Sequence, residues 1–113
     1  MITAIAFVVA AGAGAFARAE VGRRWNDHEG LPGGTIIVNV TGSFLLGLLV
    51  NTTPPALTVL GVAGLGAYTT FSSFARDTVA LIERKRFALA AAYVGATLVL
   101  GIAAAAAGVA LAE

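Results

Sequence analysis

The sequence contains no cysteine, a single histidine and only 12% charged residues. Without cysteine, disulfide bonds and thiolate metal sites are excluded. A soluble domain of this size carries about twice that fraction of charge. The net charge of +1 also gives no indication of nucleic-acid binding. The scarcity of charge therefore directs attention to a membrane environment.

Three long stretches contain no Asp, Glu, Lys or Arg, namely residues 1–17, 30–75 and 87–112. About 20 apolar residues are enough for a helix to cross the hydrocarbon core of a bilayer, and the mean hydropathy of the chain is +0.90. A soluble Ala-rich helical bundle would need polar faces at helical spacing, and these are missing. The sequence predicts an all-α, multi-pass protein of the cell membrane.

We expect one membrane domain over residues 1–113 with four spans. The spans are predicted at about residues 2–19, 34–50, 56–82 and 87–111. Pro54 and Pro55 separate the second span from the third, because proline interrupts helical hydrogen bonding. All seven Lys and Arg residues lie in the first and third loops or beside them. The positive-inside rule places both loops in the cytoplasm and both termini outside.

The third span contains an unexpectedly polar stretch at residues 64–74, where glycines precede two threonines, two serines and two phenylalanines. Because glycine weakens helices, we expect a break within residues 66–70 that frees backbone groups. Freed carbonyls suit Na⁺, and the N-terminus of a half-helix suits an anion. The alternative is that these small residues form a close helix crossing.

Several side chains are candidates for contact with a permeating ion. Asn39 offers amide donors within the apolar second span, although it also fits a role in linking two helices. Phe71 and Phe74 share a helix face, and their ring edges are electropositive; ordinary packing is the alternative. Arg18 either attracts anions to a vestibule or extends to the interface.

Other polar residues carry less weight, and an enzyme is disfavoured. Tyr93 and Thr97 place hydroxyls four residues apart along one face of the fourth span. His28 lies in a loop, and we assign it no role. No cysteine, embedded histidine or carboxylate pair is available for catalysis, so transport or permeation is the better functional class.

Three motifs resemble those of the Fluc (CrcB-type) fluoride channels. They are Gly-Ala-Phe-Ala-Arg at 14–18, Gly-Thr-Ile-Ile-Val-Asn-Val-Thr-Gly-Ser-Phe at 34–44 and Gly-Ala-Tyr-Thr-Thr-Phe-Ser-Ser-Phe at 66–74. The resemblance implies an antiparallel, dual-topology dimer with a third helix broken at its centre. It also implies passive fluoride efflux that protects the cell from fluoride toxicity, and a structural Na⁺ at the dimer centre.

The resemblance assigns roles to individual residues. The fluoride pathway would comprise Asn39, Thr70, Phe71, Phe74 and Tyr93. Backbone carbonyls of Gly66 and Thr69 would bind Na⁺, and Arg18 would form the anion vestibule. Two positions depart from the family pattern: Ala67 replaces a frequent glycine or serine, and Asp77 replaces a common glutamate.

The uneven distribution of charge bears on whether the partner subunit is a second copy of this chain or a different protein. A chain that inserts in both orientations should have nearly balanced basic loops, whereas this one is strongly biased. We therefore expect a heterodimer with an oppositely biased paralogue, with a homodimer as the alternative.

Two other functions compete with the channel. A small four-span multidrug exporter would need a carboxylate embedded in the first span, yet no acidic residue precedes Glu20. A structural membrane-assembly protein would explain the small residues, but not the combination of Asn39, the glycines and the paired phenylalanines.

Overall fold

The computed structural model describes all 113 residues and is helical, apart from one isolated bridge between Asn26 and Pro32. The elements are α1 (Ile2–Trp25), α2 (Gly33–Leu48), α3 (Pro54–Ala56), a π-helical segment (Leu57–Leu65), α4 (Gly66–Tyr68), α5 (Phe71–Glu83) and α6 (Phe87–Ala112). The stretch Pro54–Glu83, α1 and α6 are each long and apolar enough to cross a membrane, and α2 is a shorter apolar helix. The predicted all-α membrane class is confirmed.

Helix α1 extends beyond the predicted span and ends at Trp25. Its last turns include an ion pair between Glu20 and Arg23 at 2.8 Å and a longer one between Glu20 and Arg24 at 3.7 Å. Such pairs, three and four residues apart, stabilise exposed helical turns. The polar residues expected to open the first loop therefore continue the helix.

Close helix crossings account for several glycines. A Cβ on Gly14 of α1 would overlap Gly64 O in the π-helical segment, and a Cβ on Gly108 of α6 would overlap Phe44 O in α2. Gly66 has helical backbone angles, with φ −61° and ψ −38°. The packing interpretation of small residues thus holds at Gly14, where the backbone of Gly64 approaches too closely for a side chain.

The backbone between α4 and α5 is extended at Thr69 and Thr70. Their φ and ψ angles are −78° and 161° for Thr69, and −150° and 119° for Thr70. The two threonines are thus the extended residues. The sequence predicts that the glycine-rich residues before them also depart from helical geometry, and Gly66 does not. Thr70 caps α5, since its Oγ1 accepts a hydrogen bond from Ser73 N at 3.0 Å, as hydroxyl side chains commonly do at helix starts.

Few side chains are buried within the single chain. Only 13 of 113 residues are buried, and the cluster of buried apolar side chains consists of Leu81, Ala90 and Tyr93 with partly buried neighbours. Large apolar residues such as Phe71 and Ile102 are 80% and 70% exposed. In water this would be unfavourable, so the surface fits contact with lipid or with another subunit.

Candidate functional site

Asn39 connects α2 to the extended residues between α4 and α5. Its Nδ2 donates to Thr70 O at 3.0 Å, and its Oδ1 accepts from Thr70 N at 2.7 Å. One of the two amide N–H groups of Asn39 remains available, because an asparagine side chain offers two donors. The side chain therefore links two helical elements and still presents a donor beside Thr70.

The pairing changes the backbone hydrogen bonds on either side. In a continuous α-helix, Thr70 N would donate to Gly66 O, but here it donates to Asn39 Oδ1. No backbone N–H donates to Thr69 O, and the Thr69 hydroxyl donates to Leu65 O at 3.0 Å. Carbonyl groups near Gly66 and Thr69 are thereby left without their usual helical partners.

The predicted aromatic residues form a row. The ring centroids of Phe71 and Phe74 are 6.1 Å apart, and those of Phe74 and Tyr93 are 5.4 Å apart. Exposure decreases along this row: Phe71 is 80% exposed, Phe74 is partly buried, and Tyr93 is fully buried. The two phenylalanines thus connect the surface of the subunit to its small core.

The hydroxyl of Tyr93 is part of a cluster that sequence reasoning did not anticipate. Asp77 Oδ2 accepts from Thr35 Oγ1 at 3.0 Å and from Tyr93 OH at 3.2 Å. Arg76 lies beside the same carboxylate, with Nε 3.9 Å from Oδ1. Thr35 is 3% exposed, so the carboxylate joins α2, α5 and α6 through hydroxyl donors.

Two features of the sequence could have pointed to this cluster. Thr35 precedes Asn39 by four residues and so lies on the same face of α2. Asp77 is the only acidic residue between Glu29 and Glu83. A carboxylate at the end of a long apolar region requires partners, and Thr35 is a suitably placed donor.

Two open grooves meet at Thr70. One is polar, measures about 930 Å³ and contains Arg18, Ser72, Ser73 and Asp77 in its lining. The other is mainly apolar, measures about 710 Å³ and is lined by most of the remaining site residues, namely Asn39, Gly66, Thr69, Phe71 and Phe74. Thr70 lines both grooves. Arg18 makes no ion pair, so its charge faces the polar groove without a carboxylate partner.

The site offers neutral hydrogen-bond donors at the junction of the polar groove and the mainly apolar groove. Asn39 and Thr70 supply the donors, Arg18 places an unpaired positive charge in the polar groove, and the rings of Phe71 and Phe74 provide electropositive edges. Such an arrangement can replace part of the hydration shell of a small anion without trapping it on a fixed charge.

Comparison with known proteins identifies one family and several relatives that bear a common name. The sequence model of the family described as CrcB-like protein, Camphor Resistance (CrcB), matches residues 5–109. A fluoride-specific ion channel FluC of Nitrobacter winogradskyi is 42% identical over 117 aligned positions, which cover 95% of this chain and 93% of the relative.

Two further relatives bear the same name. The one from Agrobacterium fabrum is 48% identical over 89 positions, covering 71% of this chain and 70% of the relative. The one from Cereibacter sphaeroides is 49% identical over 86 positions, covering 70% of this chain and 67% of the relative. The family match over residues 5–109 and these identities show that the chain belongs to the CrcB family.

Proposed function

We propose that the protein is a fluoride-selective channel of the cell membrane that allows passive efflux of fluoride and so protects the cell from its toxicity. It is a multi-pass membrane protein and not an enzyme. The observation that carries the proposal is the pairing of Asn39 with Thr70 at the junction of the two grooves. Family membership and the names of the relatives support it.

The donors at the junction suit fluoride. Fluoride is small and strongly hydrated, so a selective path must replace water with closely spaced donors while remaining too narrow for chloride. The free N–H of Asn39 and the hydroxyl of Thr70 provide donors, and the edges of Phe71 and Phe74 continue the path. Tyr93 supports the ring of Phe74 from the core side. Arg18 raises the local anion concentration at the polar groove.

A second subunit completes the pathway, packed antiparallel to the first. This is supported by the 80% exposure of Phe71 and by the openness of both grooves in a single chain. The partner is a paralogue with the opposite charge bias, because every basic residue of this chain falls in or near two loops on one side. A homodimer is the alternative.

The third membrane span is broken at its centre, and the break holds a structural Na⁺ that is not transported. Its ligands are backbone carbonyls of Gly66 and Thr69 together with those of the partner subunit. The fit is supported by Thr69 O, which accepts no backbone N–H, and by the diversion of Thr70 N away from Gly66 O. Oxygen donors of this kind suit a hard cation. When bound, Na⁺ supplies fixed positive charge beside the anion path.

The test is fluoride efflux from liposomes containing the protein purified together with its oppositely biased paralogue, with chloride as the comparison anion. Efflux of fluoride without chloride is expected, and it should fall when N-methylglucamine replaces Na⁺ throughout. Efflux of organic cations, or no fluoride efflux either from this chain alone or from its complex with the paralogue, would reject the channel. Efflux from this chain expressed alone, with antiparallel dimers, would reject the requirement for a paralogue and leave the homodimer.

A further inference from the structure

Lys85 has a backbone conformation that lysine rarely adopts. Its φ is 60°, and it is the only residue of the chain with a positive φ. Lys85 follows the end of α5, where Arg86 N donates to Leu81 O and Lys85 N donates to Ile82 O, both at 2.9 Å. Glycine is favoured at this position of such a helix end, because it has no Cβ. A lysine held in this conformation points to a use for its ammonium group.

The two neighbouring arginines are already engaged within the chain. Arg84 Nη1 donates to His28 O and Arg86 Nη1 donates to Glu29 O, each at 2.7 Å. These bonds hold the two basic loops together at one end of the molecule. Both acceptors are uncharged carbonyls, so the positive charges remain unneutralised.

No nearby carboxylate forms an ion pair with Arg84, Lys85 or Arg86. The ion pairs of the chain are Glu20 with Arg23 and Arg24, and Asp77 with Arg76. Glu29 lies in the first loop and Glu83 ends α5, yet neither forms an ion pair with Lys85. The ammonium of Lys85 is therefore available to an external anion.

A shallow groove of about 470 Å³ begins at this cation. Its lining residues are Lys85, Arg86, Phe87, Ala88, Leu89 and Ala92. The basic residues lie at one end, and the remainder is apolar and follows the first turns of α6. Because α6 is long and apolar enough to cross a membrane, the basic end lies near the headgroups and the apolar part lies toward the hydrocarbon.

We infer that this groove binds an anionic phospholipid. The phosphate contacts Lys85 and Arg86, and one acyl chain lies along Ala88, Leu89 and Ala92. Charge complementarity favours a headgroup with net negative charge over a zwitterionic one, in which a cation compensates the phosphate. The apolar part of the groove favours a lipid over a free anion, because a free anion has no acyl chain to contact it.

The test uses the purified protein in phosphatidylcholine vesicles with spin-labelled phosphatidylglycerol or phosphatidylcholine, and it measures the relative association of the two lipids. The wild type is expected to prefer phosphatidylglycerol. Lys85→Gln should reduce this preference about fivefold, as expected for one basic residue near the surface, and Lys85→Arg should retain it. Ala92→Trp should reduce the association of both labelled lipids, because it fills the groove.

Two further variants separate lipid binding from general effects. Lys85→Gly should lose the preference while raising the thermal unfolding temperature, since it removes the charge and relieves the backbone. Arg24→Gln removes an exposed charge at the same end of the molecule and should leave the preference unchanged. The inference fails if the wild type shows no preference, if Arg24→Gln and Lys85→Gln act equally, or if glycerol phosphate displaces the lipid as effectively as phosphatidylglycerol does.

Discussion

The side chain of Asn39 pairs with both backbone polar groups of Thr70, which lies 31 positions later in the chain. The amide donates to Thr70 O at 3.0 Å and accepts from Thr70 N at 2.7 Å. Each group would otherwise need another partner, because unsatisfied backbone groups are not tolerated at membrane depth. A single side chain thus stabilises the extended backbone and sets the position of the donors around it.

Asn39→Leu is expected to destabilise the protein and abolish fluoride flux. Two buried backbone groups of Thr70 lose their partner, at a cost of about 1–3 kcal/mol each. Thermal unfolding in detergent and liposome efflux measure the two effects. The control is Asn51→Leu, because Asn51 makes only a long exposed bond of 3.4 Å to Ala112 O. Equal stability of the two variants would contradict a structural role for the pairing.

Phe71→Ile should reduce fluoride flux while leaving the stability of the subunit nearly unchanged. Phe71 is 80% exposed, so its replacement removes a ring edge without removing much packing inside the chain. Phe74→Ile should impair flux and also lower stability by about 0.5–1.5 kcal/mol, because Phe74 packs against the ring of Tyr93. Unchanged flux in both variants, measured by efflux from liposomes, would show that the two phenylalanines serve only in packing.

Tyr93→Phe tests the hydroxyl contacts of Asp77. The variant keeps the ring but removes one of two donors to Asp77 Oδ2, and a hydrogen bond to a charged group contributes about 1.5–3 kcal/mol. A double-mutant cycle with Thr35→Val should show coupling, since both hydroxyls donate to the same oxygen. Additive losses in thermal unfolding would mean that the two hydroxyls act independently.

The candidate site could be predicted from the sequence where residue type alone contrasts with its surroundings. Asn39, Phe71 and Phe74 stand out in apolar spans, and the structure brings them to one groove. Thr35 and Asp77 did not stand out as a pair, because their contact joins residues 42 positions apart on different helices. Side-chain contacts over such a separation depend on how helices cross, which composition does not specify.

The position of the extended backbone also could not be predicted from the sequence. Glycine content suggested that Gly66 would take part, yet Gly66 is helical and the extended residues are Thr69 and Thr70. A glycine serves equally for unusual backbone angles and for close approach of two helices. Only the neighbouring element decides between these uses, as the π-helical segment does at Gly14.

Two glycines of α6 provide a matched test of close helix packing. A Cβ on Gly108 would overlap Phe44 O and come within 3.0 Å of Leu48 N, both backbone atoms of α2 or its end, whereas a Cβ on Gly95 meets nothing within 4 Å. Gly108→Ala must therefore separate α2 from α6, and we expect a loss of about 1–3 kcal/mol, as for overpacked cores. Gly95→Ala should instead stabilise the helix by about 0.5–1 kcal/mol. Thermal unfolding of the two variants measures both effects, and a Gly108→Ala protein as stable as Gly95→Ala would show that the helices are not in contact at this crossing.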